Sequence, residues 1–135
     1  MSAFVDTSIW FAAAAKRDAQ NERAKSILRS IDQHLTTDLV LGETWQLLKA
    51  QFGSNVAEIF WERLRDGGVR IEPIVRADPD AAAQIQASSP EEGFSFVDRT
   101  SFALMERIGI TQAATFNPDF AATDPAAVAS DRTGF

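Results

Sequence analysis

Apolar positions along the chain fall into short continuous runs separated by longer stretches of helical period. Ala3-Phe4-Val5, closed by Asp6, reads as a buried strand at the centre of a sheet. Thr7 or Ser8 is the expected N-cap of a helix from Ile9 to about Ala15, and Lys16-Arg17-Asp18 makes a polar turn. A second helix covers Asn21 to Ile31, with Ala24, Ile27, Leu28 and Ile31 on one stripe. His34 to Thr37 predicts a short second strand, and Thr37 or Asp38 caps a third helix that ends at about Phe52. Leu41, Trp45, Leu48 and Phe52 form the expected apolar face of that helix. A fourth helix spans Ser54 to Asp66, directs Val56, Ile59, Phe60 and Leu64 inward, and is stopped by Gly67-Gly68. Val69 to Ile74 alternates and reads as a third strand. Asp78-Pro79 opens a helix through Ala87 as cap and first helical residue; residues 88–93 are a loop by composition. Ser95 caps, and Gly109 closes, a last helix, and Ile110 to Phe116 reads as a further strand. From Ala121 onward we expect loose structure or a short final turn or strand.

Strands alternating with helices predict an α/β fold with a central parallel sheet flanked by helices and right-handed connections. With 135 residues, no internal repeat and no linker, residues 1–135 are expected to form one domain, its core at about 3–120 and its tail at 121–135. The absence of cysteine excludes thiolate zinc sites and thiol catalysis. It also suits a cytoplasmic protein, as does the lack of a signal segment or a run of membrane-spanning length. A net charge of −6 argues against binding nucleic acid through bulk electrostatics alone. Arginine outnumbers lysine ten to three, however, which favours planar, bidentate contacts with phosphate or carboxylate.

The acids carry the candidate chemistry. Asp6 sits where open α/β sheets place ligands, at the C-terminal lip of a central strand; capping the next helix is the competing role. Glu43 lies off the apolar face of the third helix, either turned to solvent or paired with a cation. Asp98 completes a Ser95-x-x-Asp98 capping box, yet it also heads the apolar stripe of Phe102 and Met105, so capping and cation binding both fit. Asp119 falls in the Asn117-Pro118-Asp119-Phe120 turn, at what would be another strand lip. Carboxylates brought together at one sheet end repel and need cations. Hard oxygen ligands suit Mg²⁺ or Mn²⁺, which complete their shells with water and phosphate. Such a site fits metal-activated water attacking a phosphodiester. Glycine-rich phosphate loops and the G-x-S-x-G nucleophile pattern are missing. The single histidine, His34, reads as a surface or satisfied group rather than a ligand.

Four short motifs, in order, carry a resemblance that spans Ala3 to Phe120: Phe4-Val5-Asp6-Thr7-Ser8; Leu41-Gly42-Glu43-Thr44; Ser95-Phe96-Val97-Asp98 with Ser101-Phe102-Ala103-Leu104-Met105; and Thr115-Phe116-Asn117-Pro118-Asp119-Phe120. Together they resemble the PIN-domain family, in particular the VapC-type toxins of prokaryotic toxin–antitoxin pairs. The resemblance implies a Mg²⁺- or Mn²⁺-dependent endoribonuclease in which Asp6, Glu43, Asp98 and Asp119 are catalytic metal ligands. It also implies a homodimer, an RNA substrate and a cognate VapB-like antitoxin, and Ile9-Trp10-Phe11 and Trp61 are the candidate surfaces for these protein contacts. The pattern departs at Asn117, where the family often has aspartate; Asp119 replaces that acid, or Asn117 ligates through its carbonyl oxygen. Asn21 stands where relatives often carry histidine. Thr7, Ser8 and Thr100 are candidate orienting hydroxyls, and Arg99 a candidate phosphate contact. Two other readings remain: a PIN-like module that binds antitoxin or RNA without cutting, and a metal-dependent phosphohydrolase of small phosphate esters.

Overall fold

A computed structural model of the chain describes residues 1–88, 93–118 and 120. The described elements run β1 (Ser2–Val5), α1 (Thr7–Ala14), α2 (Asn21–Arg29), β2 (Gln33–Thr37), α3 (Asp38–Phe52), α4 (Ser54–Asp66), β3 (Arg70–Glu72), α5 (Ala77–Ser88), α6 (Phe96–Ile108) and β4 (Ala113–Ala114). The four strands form one parallel sheet in the order β3-β2-β1-β4. The chain steps outward from β1 to β2 to β3, then crosses back to place β4 on the other side of β1. Strand order therefore reverses between β1 and β4, and the crevice at their C-terminal ends is where such sheets bind ligands.

β1 is central, as its uninterrupted apolar run implies. Ala3, Phe4 and Val5 have no exposed surface, as expected of a parallel strand covered on both faces. Phe4 pairs in register with Leu35 of β2 and Ala113 of β4. The ring of Phe4 stacks on Phe120, which in turn meets Phe102 of α6 at a 4.5 Å centroid distance. This aromatic column ties the end of the described chain back to its first strand.

Several expected details shift. Asp6, rather than Thr7 or Ser8, is the N-cap of α1. The buried face of α3 is Val40, Thr44 and Leu48, while Leu41 and Trp45 are half-buried and Phe52 is exposed. The buried stripe is rotated from the expected one; α3 has α4 beside it, and Trp45 Nε1 donates to Glu58 Oε2 at 2.8 Å across that contact. On α4 the inward residues are Ala57, Phe60 and Leu64; Ile59 is exposed. Ile9 and Trp10, named as candidate surface contacts, belong to the core instead, with Trp10 edge-on to Phe60. The third and fourth strands are shorter than their apolar runs. Helix α5 begins at Ala77, so Asp78 lies inside it.

Local polar bonds close the helix ends. Asn21 is buried, and its amide donates to the Ala12 and Ala13 carbonyls at the end of α1, groups with no partner inside that helix. His34 Nε2 lies 2.7 Å from the Leu28 carbonyl oxygen, consistent with a structural histidine. Among the described residues, no helix is long and apolar enough to cross a membrane.

Candidate active site

The site is built around Asp6. It directly follows β1, with its backbone N–H donating to Ala114 O at 3.2 Å, and its side chain caps α1. Oδ1 accepts from the Ser8 N–H at 2.8 Å and from Ser8 Oγ at 2.6 Å; Oδ2 accepts from Thr115 Oγ1 at 2.6 Å. Capping and carboxylate presentation are thus one arrangement. Only 6 % of the residue is exposed. Burial pushes the Asp6 carboxyl up to about 6, against the lowering effect of the bonds from Ser8 and Thr115, and the nearby charge of Asp98 adds to the rise.

The two hydroxyls that grip Asp6 are themselves held. Ser8 Oγ accepts from the Phe116 N–H, and Thr115 Oγ1 from the Asn117 N–H, each at 2.9 Å. A hydroxyl that accepts from backbone has its proton free to point at the carboxylate. The segment leaving β4 therefore positions both donors, bridging the β1/β4 crevice. Ser8, a candidate orienting hydroxyl, donates to Asp6 Oδ1. Thr115 was recognisable only as part of a motif; its place beside Asp6 follows from the pairing of Val5 with Ala114, one residue earlier.

Glu43, in the second turn of α3, is half-buried, and its Oε1 accepts from Thr7 Oγ1 at 2.5 Å. Thr7 thus links the residue after Asp6 to the acid of α3. Asp98 stands in the first turn of α6 within a complete capping box: its N–H donates to Ser95 Oγ at 3.0 Å, and its Oδ2 accepts from the Ser95 N–H at 3.2 Å. Its charge reaches Asp6. Thr100 is buried, and its hydroxyl donates to Val97 O at 2.9 Å within its own helix. Arg99 lies over the Phe96 ring and approaches Ala82 O of α5 at 3.5 Å. Asn117 sits on the lip just beyond β4, while Asp119 lies outside the described residues.

Among the described residues, no three acids or histidines stand close enough to form a ready ligand shell. Each acid is held by its own hydrogen bonds: Asp6 by Ser8 and Thr115, Glu43 by Thr7, Asp98 by Ser95. The donor chemistry nonetheless fits a hard divalent cation. Asp6 is a buried carboxylate with a second acid close enough to raise its proton affinity, and a cation offsets both penalties.

Comparison with known proteins places the fold and the family. The model of the PIN domain matches residues 3–125. The 23S rRNA-specific endonuclease VapC20 of Mycobacterium tuberculosis is 37 % identical over 120 residues, which is 88 % of this chain and 92 % of the relative. A crystal structure of Mycobacterium tuberculosis VapC20, a sarcin–ricin loop cleaving toxin, matches with a TM-score of 0.86 and 34 % identity, covering 96 % of this chain and 98 % of that one. A toxin–antitoxin complex from Klebsiella pneumoniae shares the fold, with a TM-score of 0.70 at 16 % identity over 93 % of this chain and 95 % of that one. The chain belongs to the PIN domain family.

Proposed function

We propose that this protein is an endoribonuclease that cuts 23S rRNA, the toxin of a toxin–antitoxin pair. The observation that carries the reading is the grip on Asp6: a buried carboxylate at the β1/β4 crevice, with Ser8 and Thr115 donating to its two oxygens. The likeness to VapC20 over most of both chains supports the substrate class. Asp6, Glu43 and Asp98 would hold Mg²⁺ or Mn²⁺, with Asp119 or the carbonyl of Asn117 as a fourth ligand. When bound, that cation supplies positive charge against the phosphate and lowers the pKa of water for attack. Ser8 and Thr115 would fix the direction of the Asp6 oxygens and Thr7 that of Glu43, and the acids would draw together around the ion on binding. Asp98 is held by its two bonds with Ser95.

The protein partner is a VapB-like antitoxin. An apolar groove of about 530 Å³ between α1, α2 and α4 is rimmed by Lys16, Arg17, Lys25 and Arg63, which suits an acidic amphipathic segment. We further read the chain as a single cytoplasmic domain over residues 1–135 that works as a homodimer. The neutral Asn117 favours one alternative, a module that binds RNA or antitoxin without cutting.

Incubating purified protein with bacterial ribosomes and Mg²⁺ or Mn²⁺ tests the reading. A discrete 23S rRNA fragment that disappears with chelator, and in Asp98→Asn, is expected. Intact rRNA at high enzyme concentration, from protein that still binds the metal, establishes the binding module instead.

A further inference from the structure

The first turn of α6 carries an aromatic ring that the fold does not use. Phe96 is 52 % exposed, the highest value among the exposed large apolar side chains of the described residues. It belongs neither to the core nor to the half-buried side chains packed against that core. Two residues earlier, Phe94 is buried and meets Phe102 edge-on at a 5.0 Å centroid distance, so the entry to the helix is anchored without Phe96. The Arg99 guanidinium carbon lies 5.9 Å from the centre of the Phe96 ring, and about half of the residue still faces solvent. Leaving a phenylalanine in water forgoes one of the larger hydrophobic gains open to a side chain.

The topology brings this ring to the site. Residues 109–112 alone separate α6 from β4, so the helix ends beside the start of that strand and begins toward the other end of the sheet. Asp98, in the same turn as Phe96, brings its charge to Asp6 there. Helical Cα–Cβ bonds tilt toward the N-terminus, so a side chain at the first position leans out past the helix start. The chemistry that fits such a ring is a nucleobase. Loops and bulges of RNA present unstacked bases, and a base laid on an aromatic side chain recovers the stacking it has lost. A hydrocarbon ring makes no hydrogen bond to the base, so what it selects is an unpaired base of any kind.

Resting on the ribonuclease reading above, we propose that Phe96 is a substrate-binding platform: one unpaired base of the RNA stacks on its exposed ring, which sets the register of the strand over Asp6 and Asp98 and restricts cutting to single-stranded loops.

The test compares full-length wild type, Phe96→Ala and Phe96→Trp. Binding to a labelled RNA copy of the sarcin–ricin hairpin of 23S rRNA is measured in chelator, beside the same hairpin with an abasic nucleotide at each loop position in turn. Cleavage kinetics with Mn²⁺ and thermal unfolding use the same preparations. Phe96→Ala is expected to bind the intact hairpin about tenfold more weakly and to raise KM by a similar factor. Its plot of log affinity against log salt keeps the wild-type slope, since no phosphate contact is lost. At one loop position the abasic hairpin should bind wild type about tenfold more weakly and Phe96→Ala no more weakly than the intact RNA does, which identifies the stacked base. Phe96→Trp retains wild-type affinity, and the three melting temperatures agree. Equal affinity and KM in wild type and Phe96→Ala overturn the proposal and leave the ring to a protein partner. So does a penalty from Phe96→Ala that is the same on every abasic hairpin, which makes the loss indirect. A wild type that binds the hairpin without cutting it sinks the ribonuclease reading, while the abasic series still decides the stacking; one that neither binds nor cuts sinks both.

Discussion

The carboxyl of Asp6 is held by three hydrogen bonds and yet titrates near 6, because burial outweighs them. Its folded value lies above its unfolded value of 3.8, so the native state keeps this proton where the unfolded chain has lost it. Stability from this group is therefore full below the ordinary value, declines as pH rises toward 6, and stays reduced above it. The shift corresponds to about 3 kcal/mol at neutral pH. Replacing Asp6 with Asn removes the charge and keeps the shape. In metal-free protein, Asp6→Asn should be more stable than wild type at about pH 7, by up to about 3 kcal/mol, with the gap narrowing toward about pH 4. Urea unfolding of both proteins across that range measures it, and a gap that does not change with pH would show that Asp6 is not ionising inside the fold.

At the scale of the elements, α5 and α6 are clasped by one ion pair. Arg107 donates through Nε to Asp78 Oδ1 at 2.8 Å and through a terminal nitrogen to Oδ2 at 3.1 Å; the same carboxylate accepts from the Val75 N–H. The Arg107 bond, chiefly, holds the Asp78 carboxyl below its usual range. Its contribution is therefore present above the ordinary carboxylate value and lost as pH falls through the lowered one. Asp78→Ala leaves Arg107 without this partner and should lower the melting temperature by about 5 to 10 °C at neutral pH, as read by circular dichroism. A shift within one degree or so would mean that the clasp is ornamental. Asp78 was legible only as a cap, since its partner lies 29 residues away. Helix α6 was legible in full because its signals are local: Ser95 and Asp98 cap its start within one turn, and Gly109 ends it in the left-handed conformation at φ 77°. The face of α3 was not, because period alone does not say on which side a neighbouring helix will pack. Val40 and Leu41 are equally apolar, yet only Val40 is fully buried.

For the molecule as a whole, the same contrast separates what was readable in the site from what was not. Asp6, Glu43 and Asp98 announce themselves as acids in short motifs. Thr115 gains meaning only once β4 lies beside β1. Metal should bind this assembled state and not the unfolded chain. Adding Mn²⁺ should therefore raise the melting temperature, more at about pH 7 than at about pH 5, because the cation must displace the proton on Asp6. Chelator should reverse the gain and Asp6→Asn should abolish it; an equal gain in the variant would place the ion elsewhere. The bond from Thr115 to Asp6 joins residues 109 positions apart, so the grip on the buried acid cannot form until nearly the entire domain has been synthesised. Synthesis thereby runs ahead of assembly: Asp6 emerges with the first strand, and its hold is complete only once Thr115 has been added and β4 docks beside β1.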